Sequence, residues 1–308
     1  MIPLDTIRTE QRGAVLVARI TNPPSDLLDR RVMADLGALG RHLERDTSIR
    51  AVVLTGPRAG VFVPHYLIDE ILTGSERLDR ETPYPAARAG LGAVAAIARI
   101  PGGRRLIAAS PAAGLLELID THVTLNRLGR VPQVIVAAIT GDAQGGGCEL
   151  ALACDIRVMA DGPFRIGLPE LTIGIPPGAG GTQRLMAAVG PLRARSMVLG
   201  AQTLTPAAAL DVGLVDAVVP AERTEAVALN IAQTATTWNP AAVRAAKRAL
   251  QPPGLSRGLR RESGGFVAAV SGRTAMAMMR RFTDAADNNA GRTPWRDRTI
   301  VPDEFSRR

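Results

Sequence analysis

Short apolar runs alternate, along the first two thirds of the chain, with segments in which apolar residues recur every three or four positions. Four continuous apolar runs bounded by turn residues predict buried strands at 15–20, 50–56, 131–141 and 155–160. Between the first two runs, helical spacing predicts an amphipathic helix that buries Leu28, Val32, Leu36, Leu39 and Leu43. Each strand leads through a glycine-containing bend towards a helix, so the pattern predicts a mixed α/β core.

The C-terminal third has the spacing of helices throughout. Residues 224–236 and 239–250 predict two of them, and the second has Asn239 as its N-cap and Pro240 at its first position. Residues 265–282 predict one further helix. We therefore divide the chain into a core at 1–220, a helical region at 221–287 and a loosely ordered tail at 288–308.

An unusual insertion at about 72–111 interrupts the core. Apolar residues at Leu91, Val94, Ile97 and Ile100 predict one face of a helix within it. Long connections in compact domains are usually functional lids or disordered segments. We consider two hypotheses, a helical flap over a ligand site and a surface excursion that joins a neighbouring subunit.

Composition narrows the class of protein. The chain has 308 residues, 46% of them hydrophobic, enough to bury one large core or two modest ones. Its longest apolar runs are too short to cross a bilayer, and its charged N-terminal stretch is unlike a secretory signal. Cys148 and Cys154, the only cysteines, are poorly placed for a disulfide or a metal site. We expect a soluble, cytoplasmic protein.

The net charge of +8 and the isoelectric point near 10.9 raise the question of nucleic-acid binding. Lys247 is the only lysine, and the abundance of arginine is typical of genes from high-GC bacteria. The arginines are scattered, and only 3% of residues are aromatic, which leaves few side chains on which bases can stack. The composition argues against a nucleic-acid partner, whereas a moderate positive field favours anionic small molecules.

Two glycine-rich segments carry the candidate chemistry. Residues 141–158 place three consecutive glycines, Gly145 to Gly147, immediately before Cys148 and Glu149. Residues 168–185 place Glu170 behind Pro169 and ahead of a second glycine-rich loop. Glycines allow a ligand to approach main-chain N–H groups closely. Two carboxylates beside such donors suit a reaction that passes through a negatively charged oxygen.

These two segments resemble the crotonase superfamily, the enoyl-CoA hydratase/isomerase family. The motif G-x-x-x-G-G-G-x-E-L-A-x-x-C-D fits residues 141–155 without a gap, and P-E-x-x-x-G-x-x-P-G-A-G-G-T-Q-R-L fits residues 169–185. The first oxyanion motif of the family matches less well at residues 56–71. Phe62 and Glu70 align there, but Pro64, His65, Tyr66 and Leu67 replace the usual alanine, glycine, alanine and aspartate.

The resemblance implies a spiral of ββα units with a C-terminal helical trimerisation region, and enoyl-CoA hydratase activity. The resemblance also implies that the N–H groups of Tyr66 and Gly146 form an oxyanion hole, that Glu149 activates water and that Glu170 delivers a proton. The residues expected to bind substrate are Val63, Pro64, His65, Leu67, Ile68, Gly145, Pro169 and Gly178. The resemblance implies a coenzyme A thioester substrate, no metal or other cofactor, and a homotrimer or dimer of trimers.

Several alternatives stay open at this stage. The altered first motif is compatible with a Δ3,Δ2-enoyl-CoA isomerase, another crotonase-family reaction, or a catalytically silent acyl-CoA-binding protein. Glu149 could instead have a purely structural role, with its carboxylate paired to a backbone group or an arginine. Glu170 could be an ordinary carboxylate at a helix N-terminus, where the helix dipole stabilises negative charge. His65 and Tyr66 either contact substrate at the mouth of the acyl pocket or fill space in an altered loop.

Overall fold

The computed structural model describes residues 2–78, 81–252 and 254–288. Most of the predicted tail, residues 289–308, lies outside the described residues. Within the described part, nine strands form two sheets. The strands are β1 (Ile7–Arg12), β2 (Val15–Ile20), β3 (Ala51–Thr55), β4 (Val134–Ile139), β5 (Ala143–Gln144), β6 (Ile156–Ala160), β7 (Ile166–Gly167), β8 (Thr203–Leu204) and β9 (Ala217–Val219).

Helices surround these sheets and dominate both the insertion and the C-terminal region. They are α1 (Arg30–Leu43), α2 (Ile68–Glu76), α3 (Tyr84–Ile97), α4 (Gly103–Ala108), α5 (Ala113–Leu128), α6 (Gly146–Leu152), α7 (Gly181–Val189), α8 (Pro191–Leu199), α9 (Pro206–Asp211), α10 (Thr224–Ala235), α11 (Pro240–Ala249), α12 (Leu255–Val270) and α13 (Arg273–Asn288). Short 3₁₀ helices occupy Glu170–Ile173 and Ala221–Arg223.

The larger sheet has the strand order β1-β2-β3-β4-β6-β9. The β1–β2 pair is antiparallel, and every other neighbouring pair in this sheet is parallel. The smaller sheet, in the order β5-β7-β8, joins the loop before α6 to the segment before Glu170. The mixed α/β prediction is confirmed, and the four predicted strands correspond to β2, β3, β4 and β6.

Both faces of the larger sheet are buried, which explains why its strands read as continuous apolar runs. In β4, Ile135, Ala137 and Ile139 join the main core on one face, where the apolar stripe of α1 also packs. The alternate residues Val134, Val136 and Ala138 pack with α10 on the other face. The sheet is therefore packed on both faces, and the loops at its carboxyl-terminal edge follow strands that pair with each other.

The C-terminal region begins as predicted and then departs from the prediction. Asn239 caps α11, and its Oδ1 accepts a hydrogen bond from the Ala241 N–H at 2.8 Å. The single helix predicted at 265–282 is wrong, because the chain breaks at Ser271 and Gly272 into α12 and α13. Glycine is a poor helix former, and the Ser271 hydroxyl at the break accepts a hydrogen bond from the Thr82 N–H.

The insertion forms the helices α3 and α4, which pack against α5 and α12. Leu91 and Val94 of α3 are buried as predicted, but Ile100 lies beyond the end of the helix and is 60% exposed. The buried face of α3 contacts α12 and α5 through Ala87, Leu91 and Val267. Among the described residues, no helix is both long and apolar enough to cross a membrane.

Candidate active site

Two loops meet at one edge of the larger sheet because they follow neighbouring parallel strands. The loop at 56–67 follows β3, and the loop at 140–145 follows β4, which pairs with β3 in register from Ala51 and Val134 onward. The carboxyl ends of parallel strands face the same edge, which is where open α/β sheets bind ligands. Gln144 N–H donates to the Pro64 carbonyl at 2.9 Å and ties the loops together.

Glycines allow these loops to pack backbone against backbone. A β-carbon at Gly147 would lie 1.9 Å from the Val63 carbonyl oxygen, and one at Gly141 would lie 2.5 Å from the Gly60 carbonyl oxygen. Either substitution would push the first loop away from the second. The glycine run therefore has a packing role as well as the ligand-approach role inferred from the sequence.

The main-chain N–H groups of Tyr66 and Gly146 lie side by side. Leu28 N–H donates to the His65 carbonyl at 2.9 Å, and Leu67 N–H donates to the Leu28 carbonyl at 2.7 Å. In this parallel bridge the N–H of Tyr66 points away from Leu28. Gly146 is the first residue of α6, where helical N–H groups have no intrahelical acceptor. A β-carbon on Gly146 would lie 3.3 Å from the Tyr66 nitrogen, so the two donors adjoin.

Tyr66 and Gly146 both line a cleft that is partly open to solvent. One part of its wall contains Tyr66, Gly145, Gly146, Glu149 and Glu170. The remaining wall is mainly apolar and comes from three helices, α2, α5 and α12. It includes Ile68, Ile71, Leu115, Leu118, Phe266 and Val270. The cleft thus has hydrogen-bonding and acidic groups at one end and an apolar wall along the rest, which fits a substrate with a reactive carbonyl and a hydrocarbon tail.

Glu149 lies in α6, three residues after Gly146, and so faces the same side of that helix. Its side chain is buried, and Oε1 accepts the N–H groups of Ala179 at 2.7 Å and Gly181 at 2.8 Å. Burial raises the pKa of Glu149, while these two donors and the charge of Arg184 oppose the rise. The donors and Arg184 stabilise the carboxylate form, but burial outweighs them, and the pKa of Glu149 stays above its ordinary value.

Glu170, the first residue of its 3₁₀ helix, is also buried but is supported differently. Its Oε2 has no hydrogen-bond partner among the described residues. Burial raises the pKa of Glu170 well above the ordinary value, and the negative charge of Glu149 raises it further. Of the two acids, Glu170 is the one whose surroundings favour the protonated form more strongly.

The turn that supports Glu149 also binds a third carboxylate. Glu262 of α12 accepts the N–H of Gly180 at 2.5 Å and the N–H and hydroxyl of Thr182. Burial and the charge of Glu149 raise the pKa of Glu262 to about 8. Arg184 is also buried, and it donates a hydrogen bond to the Ala179 carbonyl of the same turn at 2.8 Å.

Comparisons with known proteins agree with this geometry. The sequence profile of the enoyl-CoA hydratase/isomerase family matches residues 119–263. The chain is 41% identical to 2,3-dehydroadipyl-CoA hydratase of Escherichia coli strain K12 over 174 residues, which cover 53% of this chain and 68% of that protein. It is 30% identical to the short-chain-enoyl-CoA hydratase of Clostridium acetobutylicum over 248 residues, which cover 80% of this chain and 81% of that protein.

The chain belongs to the enoyl-CoA hydratase/isomerase family, the crotonase superfamily. A solved structure of this superfamily, human mitochondrial delta3-delta2-enoyl-CoA isomerase, superposes with a TM-score of 0.74 at 25% identity. The match covers 93% of this chain and 100% of that one, so the crotonase fold predicted from the two motifs is confirmed. The expected trimerisation role of the helical region remains a prediction.

The crotonase-like cleft contains some of the residues named from the sequence but not all of them. Tyr66, Ile68, Gly145, Gly146, Glu149, Glu170 and Gly178 line it. Val63, Pro64, His65, Leu67 and Pro169 are absent from its lining. Val63 is fully buried and packs against Gly147, and the Pro64 carbonyl accepts the Gln144 N–H.

His65 occupies a position different from the substrate contact considered above. Its ring is 7% exposed and meets Phe282 edge to face, with ring centroids 5.6 Å apart. Nδ1 lies 2.7 Å from the Tyr66 carbonyl oxygen. Burial lowers the pKa of His65 to about 4, which keeps the ring neutral at physiological pH. His65 therefore matches the second alternative from the sequence, in which its side chain fills space in the altered loop.

Tyr66, by contrast, has both a main-chain and a side-chain position in the cleft. Its hydroxyl donates to Glu70 Oε2 at 3.0 Å, and Arg30 approaches the same carboxylate at 3.5 Å. The larger side chain at this crotonase position therefore turns towards α2 instead of covering its own N–H. The hydrogen bond fixes the loop whose backbone provides the first donor.

The sequence interpretation missed Glu262 and the walls contributed by α5 and α12. A signal for Glu262 was present, because Leu255, Leu259, Val267 and Val270 form the buried stripe of α12 and Glu262 falls within it. A carboxylate inside an apolar helical stripe needs a partner. The partner here is the turn at the start of α7, which sequence spacing alone does not place nearby.

Proposed function

We propose that this protein is an enoyl-CoA hydratase, which adds water across the double bond of a 2-enoyl-CoA to give a 3-hydroxyacyl-CoA. One observation carries the proposal. Two buried glutamates with different hydrogen-bond partners, Glu149 and Glu170, line the same cleft as Tyr66 and Gly146, whose main chains adjoin. Hydration needs an acid, a base and a stabilised enolate in one place, and this set supplies all three.

The paired N–H groups account for electrophilic activation. A thioester oxygen placed between them becomes more negative as water attacks Cβ, so the two hydrogen bonds strengthen towards the transition state. Loss of one such donor costs about 3 kcal/mol in other enzymes. The negative charge that develops on the thioester oxygen is stabilised by the main-chain N–H groups of Tyr66 and Gly146, so this activation requires no metal ion.

The glutamates divide the proton transfers. Glu149 accepts a proton from water as the water oxygen bonds to Cβ and the π electrons move towards the thioester oxygen. Glu170 then donates its proton to Cα as the enolate collapses to the thioester. After one turnover Glu149 is protonated and Glu170 is ionised, and proton exchange with solvent restores both. No electrons are gained or lost, so the proposed cycle requires no redox cofactor.

A groove beyond Tyr66 supports binding of the coenzyme A portion. It shares Tyr66, Glu117 and Thr121 with the cleft and is lined by Arg30, Arg41, Arg104 and Arg127. Acidic groups offset part of this charge, since Arg127 pairs with Glu44 at 2.9 Å. Guanidinium groups are well suited to phosphates, and coenzyme A is rich in them. We place the nucleotide end of the ester on this side of Tyr66.

We also propose a homotrimer or a dimer of trimers, in a cytoplasmic setting. Exposed apolar side chains on helix α8 support self-association, since Leu192 is 81% and Leu199 is 69% exposed. Both cysteines are buried and unpaired, which is compatible with a reducing compartment. Light scattering on the purified protein tests the assembly, and a monomer at micromolar concentration would contradict it.

The direct test of the function uses purified protein and crotonyl-CoA. Hydration removes the absorbance of the conjugated enoyl thioester and yields 3-hydroxybutyryl-CoA. A Δ3,Δ2-enoyl-CoA isomerase would instead convert a 3-enoyl-CoA to the conjugated ester and leave crotonyl-CoA unchanged. A catalytically silent protein would bind either ester without turnover. Either of the last two results would overturn the proposal.

A further inference from the structure

Tyr66 has a side chain that the proposed reaction does not use. Only its main-chain N–H belongs to the oxyanion hole, and the residue replaces the alanine that is usual at this position of the family motif. It nevertheless lines both the cleft and the arginine-lined groove beyond it. Among the described residues, Glu117 and Thr121 of α5 are the others that line both cavities. We call these three residues the neck, because a ligand that occupies both cavities passes beside them.

The Tyr66 ring is held at both ends. At the backbone, hydrogen bonds on either side of the residue join its loop to Leu28. At the other end, the hydroxyl donates to Glu70 Oε2 at 3.0 Å. The same oxygen accepts the Arg30 N–H at 3.0 Å, and the Arg30 side chain lies 3.5 Å from the other carboxylate oxygen. A hydrogen bond to a carboxylate is stronger than one between neutral groups, so rotation of the ring out of the neck has a cost.

The α5 side of the neck is also held in place. Thr121 is 9% exposed, and its Oγ1 donates to the Glu117 carbonyl of the same helix at 3.0 Å. Arg30 connects the two sides, since its side chain lies 3.8 Å from the Glu117 carboxylate as well as 3.5 Å from that of Glu70. These contacts limit how far the neck can widen around a ligand.

Under the proposed function, the thioester lies beside the Tyr66 side chain. A carbonyl oxygen that accepts the Tyr66 N–H lies about 3 Å from that nitrogen. The Tyr66 β-carbon also adjoins the second donor residue, because a β-carbon on Gly146 would lie 3.0 Å from it. In the ester, Cα is bonded directly to the carbonyl carbon. A substituent on Cα is therefore closer to the Tyr66 side chain than a substituent farther along the acyl chain.

We propose that the Tyr66 side chain determines specificity by limiting the width of the substrate beside the thioester. The inference rests on the proposed function for the place of the thioester. The preferred substrates are 2-enoyl-CoA esters without a branch at Cα, and 2-methyl esters are disfavoured because the branch and the ring compete for the same space. Misfit of a single methyl group in an apolar pocket commonly changes specificity by about tenfold or more.

The test compares the binding of butyryl-CoA and isobutyryl-CoA to the full-length protein by calorimetry. The two esters contain the same atoms and differ in the branch at Cα, and neither acyl group has a double bond to hydrate. We expect the parent to bind butyryl-CoA about tenfold more tightly than isobutyryl-CoA. Tyr66→Ala, which keeps the main-chain N–H, should reduce this ratio to about threefold or less. Tyr66→Phe keeps the ring and should retain most of the preference.

Ile71→Ala is the matched control, since Ile71 lines the cleft but not the groove. It enlarges a part of the cleft outside the neck, so the ratio should stay at the parent value. If Tyr66→Ala does not fold, Thr121→Ala widens the neck from α5 and should lower the ratio in its place. Equal affinities in the parent, or an undiminished ratio in the folded neck variant, overturns the inference. The expected ratios without hydration of crotonyl-CoA would overturn the proposed function alone, and failure of both esters to bind would overturn both.

Discussion

At the scale of single residues, the account depends on a difference in hydrogen-bond donors between two buried acids. Glu149 receives two main-chain N–H groups, whereas Glu170 Oε2 receives none from the described residues. Burial alone would raise the pKa of both carboxyls. The donors separate them, and two carboxyls with separated proton affinities can act as base and acid in one cycle.

The raised pKa of Glu170 has a consequence for stability. A carboxyl with a higher pKa in the folded chain than in the unfolded one stays protonated after the unfolded chain has released its proton. Its stabilising contribution is fully present below the unfolded value of about 4.3 and falls as pH rises towards the folded pKa. Glutamine has no such proton to lose, so Glu170→Gln should gain stability relative to the parent as pH rises.

Chemical denaturation at about pH 5 and about pH 8 measures this effect. The difference in the free energy of unfolding between variant and parent should be more favourable to the variant at the higher pH. Glu225→Gln, which alters a half-buried carboxylate paired with Arg19 on the far side of the sheet, is a suitable control. A difference independent of pH would show that Glu170 is not held in its acid form.

At the scale of elements, α2 and α5 leave the space that the acyl chain would fill. Ile68, Ile71, Gly74 and Leu78 follow one face from the Tyr66 loop into the cleft. Ile68 and Gly74 are six residues apart, about 9 Å along a helix axis. A β-carbon at Gly74 would meet no atom within 4 Å, and one at Gly114 on α5 would lie 3.7 Å from the Gly74 α-carbon. The two glycines keep the far end of the cleft open.

Gly74→Leu should therefore shorten the acyl site without disturbing the reacting groups. We expect kcat/KM for crotonyl-CoA to remain near the parent value and that for a ten-carbon 2-enoyl-CoA to fall about tenfold or more, since steric mismatch in an apolar pocket commonly costs 1–3 kcal/mol. Leucine is a better helix former than glycine, so the fold should not suffer.

Gly92→Leu provides the control for this substitution. Gly92 is likewise in a helix, α3, with open space where its β-carbon would be, but it is exposed and does not line the cleft. Its chain-length profile should match the parent. Equal losses on short and long substrates in Gly74→Leu would show that the acyl chain takes another route.

Sequence patterns predicted some helices and strands accurately and others poorly. Strand β2 was predicted with its observed bounds because both of its ends are marked by turns. No described residue of α3 or α4 lines the cleft, so a flap made by these two helices is not supported, although Gly74, Ser75 and Leu78 at the start of the insertion do line it. Leu91 and Val94 showed that α3 has a buried face, but they could not identify α12 and α5 as its partners.

At the scale of the whole molecule, one buried ion pair fastens the C-terminal region to the sheet. Lys247 on α11 is 8% exposed, and its Nζ donates to Asp155 Oδ2 at 2.6 Å and to the Gln133 carbonyl at 2.8 Å. Asp155 immediately precedes β6 and also accepts the Ile135 N–H at 2.7 Å. The only lysine of the chain thus joins three segments.

Lys247→Met should be destabilising by about 3 kcal/mol, because removal of one partner leaves a largely buried charge uncompensated. The denaturation midpoint measures the loss. Lys247→Met combined with Asp155→Asn should recover part of it, since the second change removes the uncompensated charge. Arg12→Met, which breaks the exposed pair with Glu10, should leave the midpoint almost unchanged. Equal effects at both sites would contradict the structural role of Lys247.

Local patterns predicted much of this molecule, and long-range contacts account for most of what they missed. The two glycine-rich motifs predicted the fold and singled out Gly146, Glu149 and Glu170. Nothing local indicated that His65 would pack on Phe282, 217 positions along the chain, or that Glu262 would reach the start of α7. Those contacts depend on how the C-terminal helices return to the core.

The account is tested most directly by the hydration rate of crotonyl-CoA with Glu149→Gln, Glu170→Gln and the double variant, measured beside the affinity for the same ester. We predict that each single variant loses activity by a factor of about 10³ or more, and that the double variant loses little beyond that, because the two acids act as a unit. Ester affinity should stay near the parent value in all three. A single variant that hydrates crotonyl-CoA within tenfold of the parent would contradict the assignment of these two glutamates as base and acid.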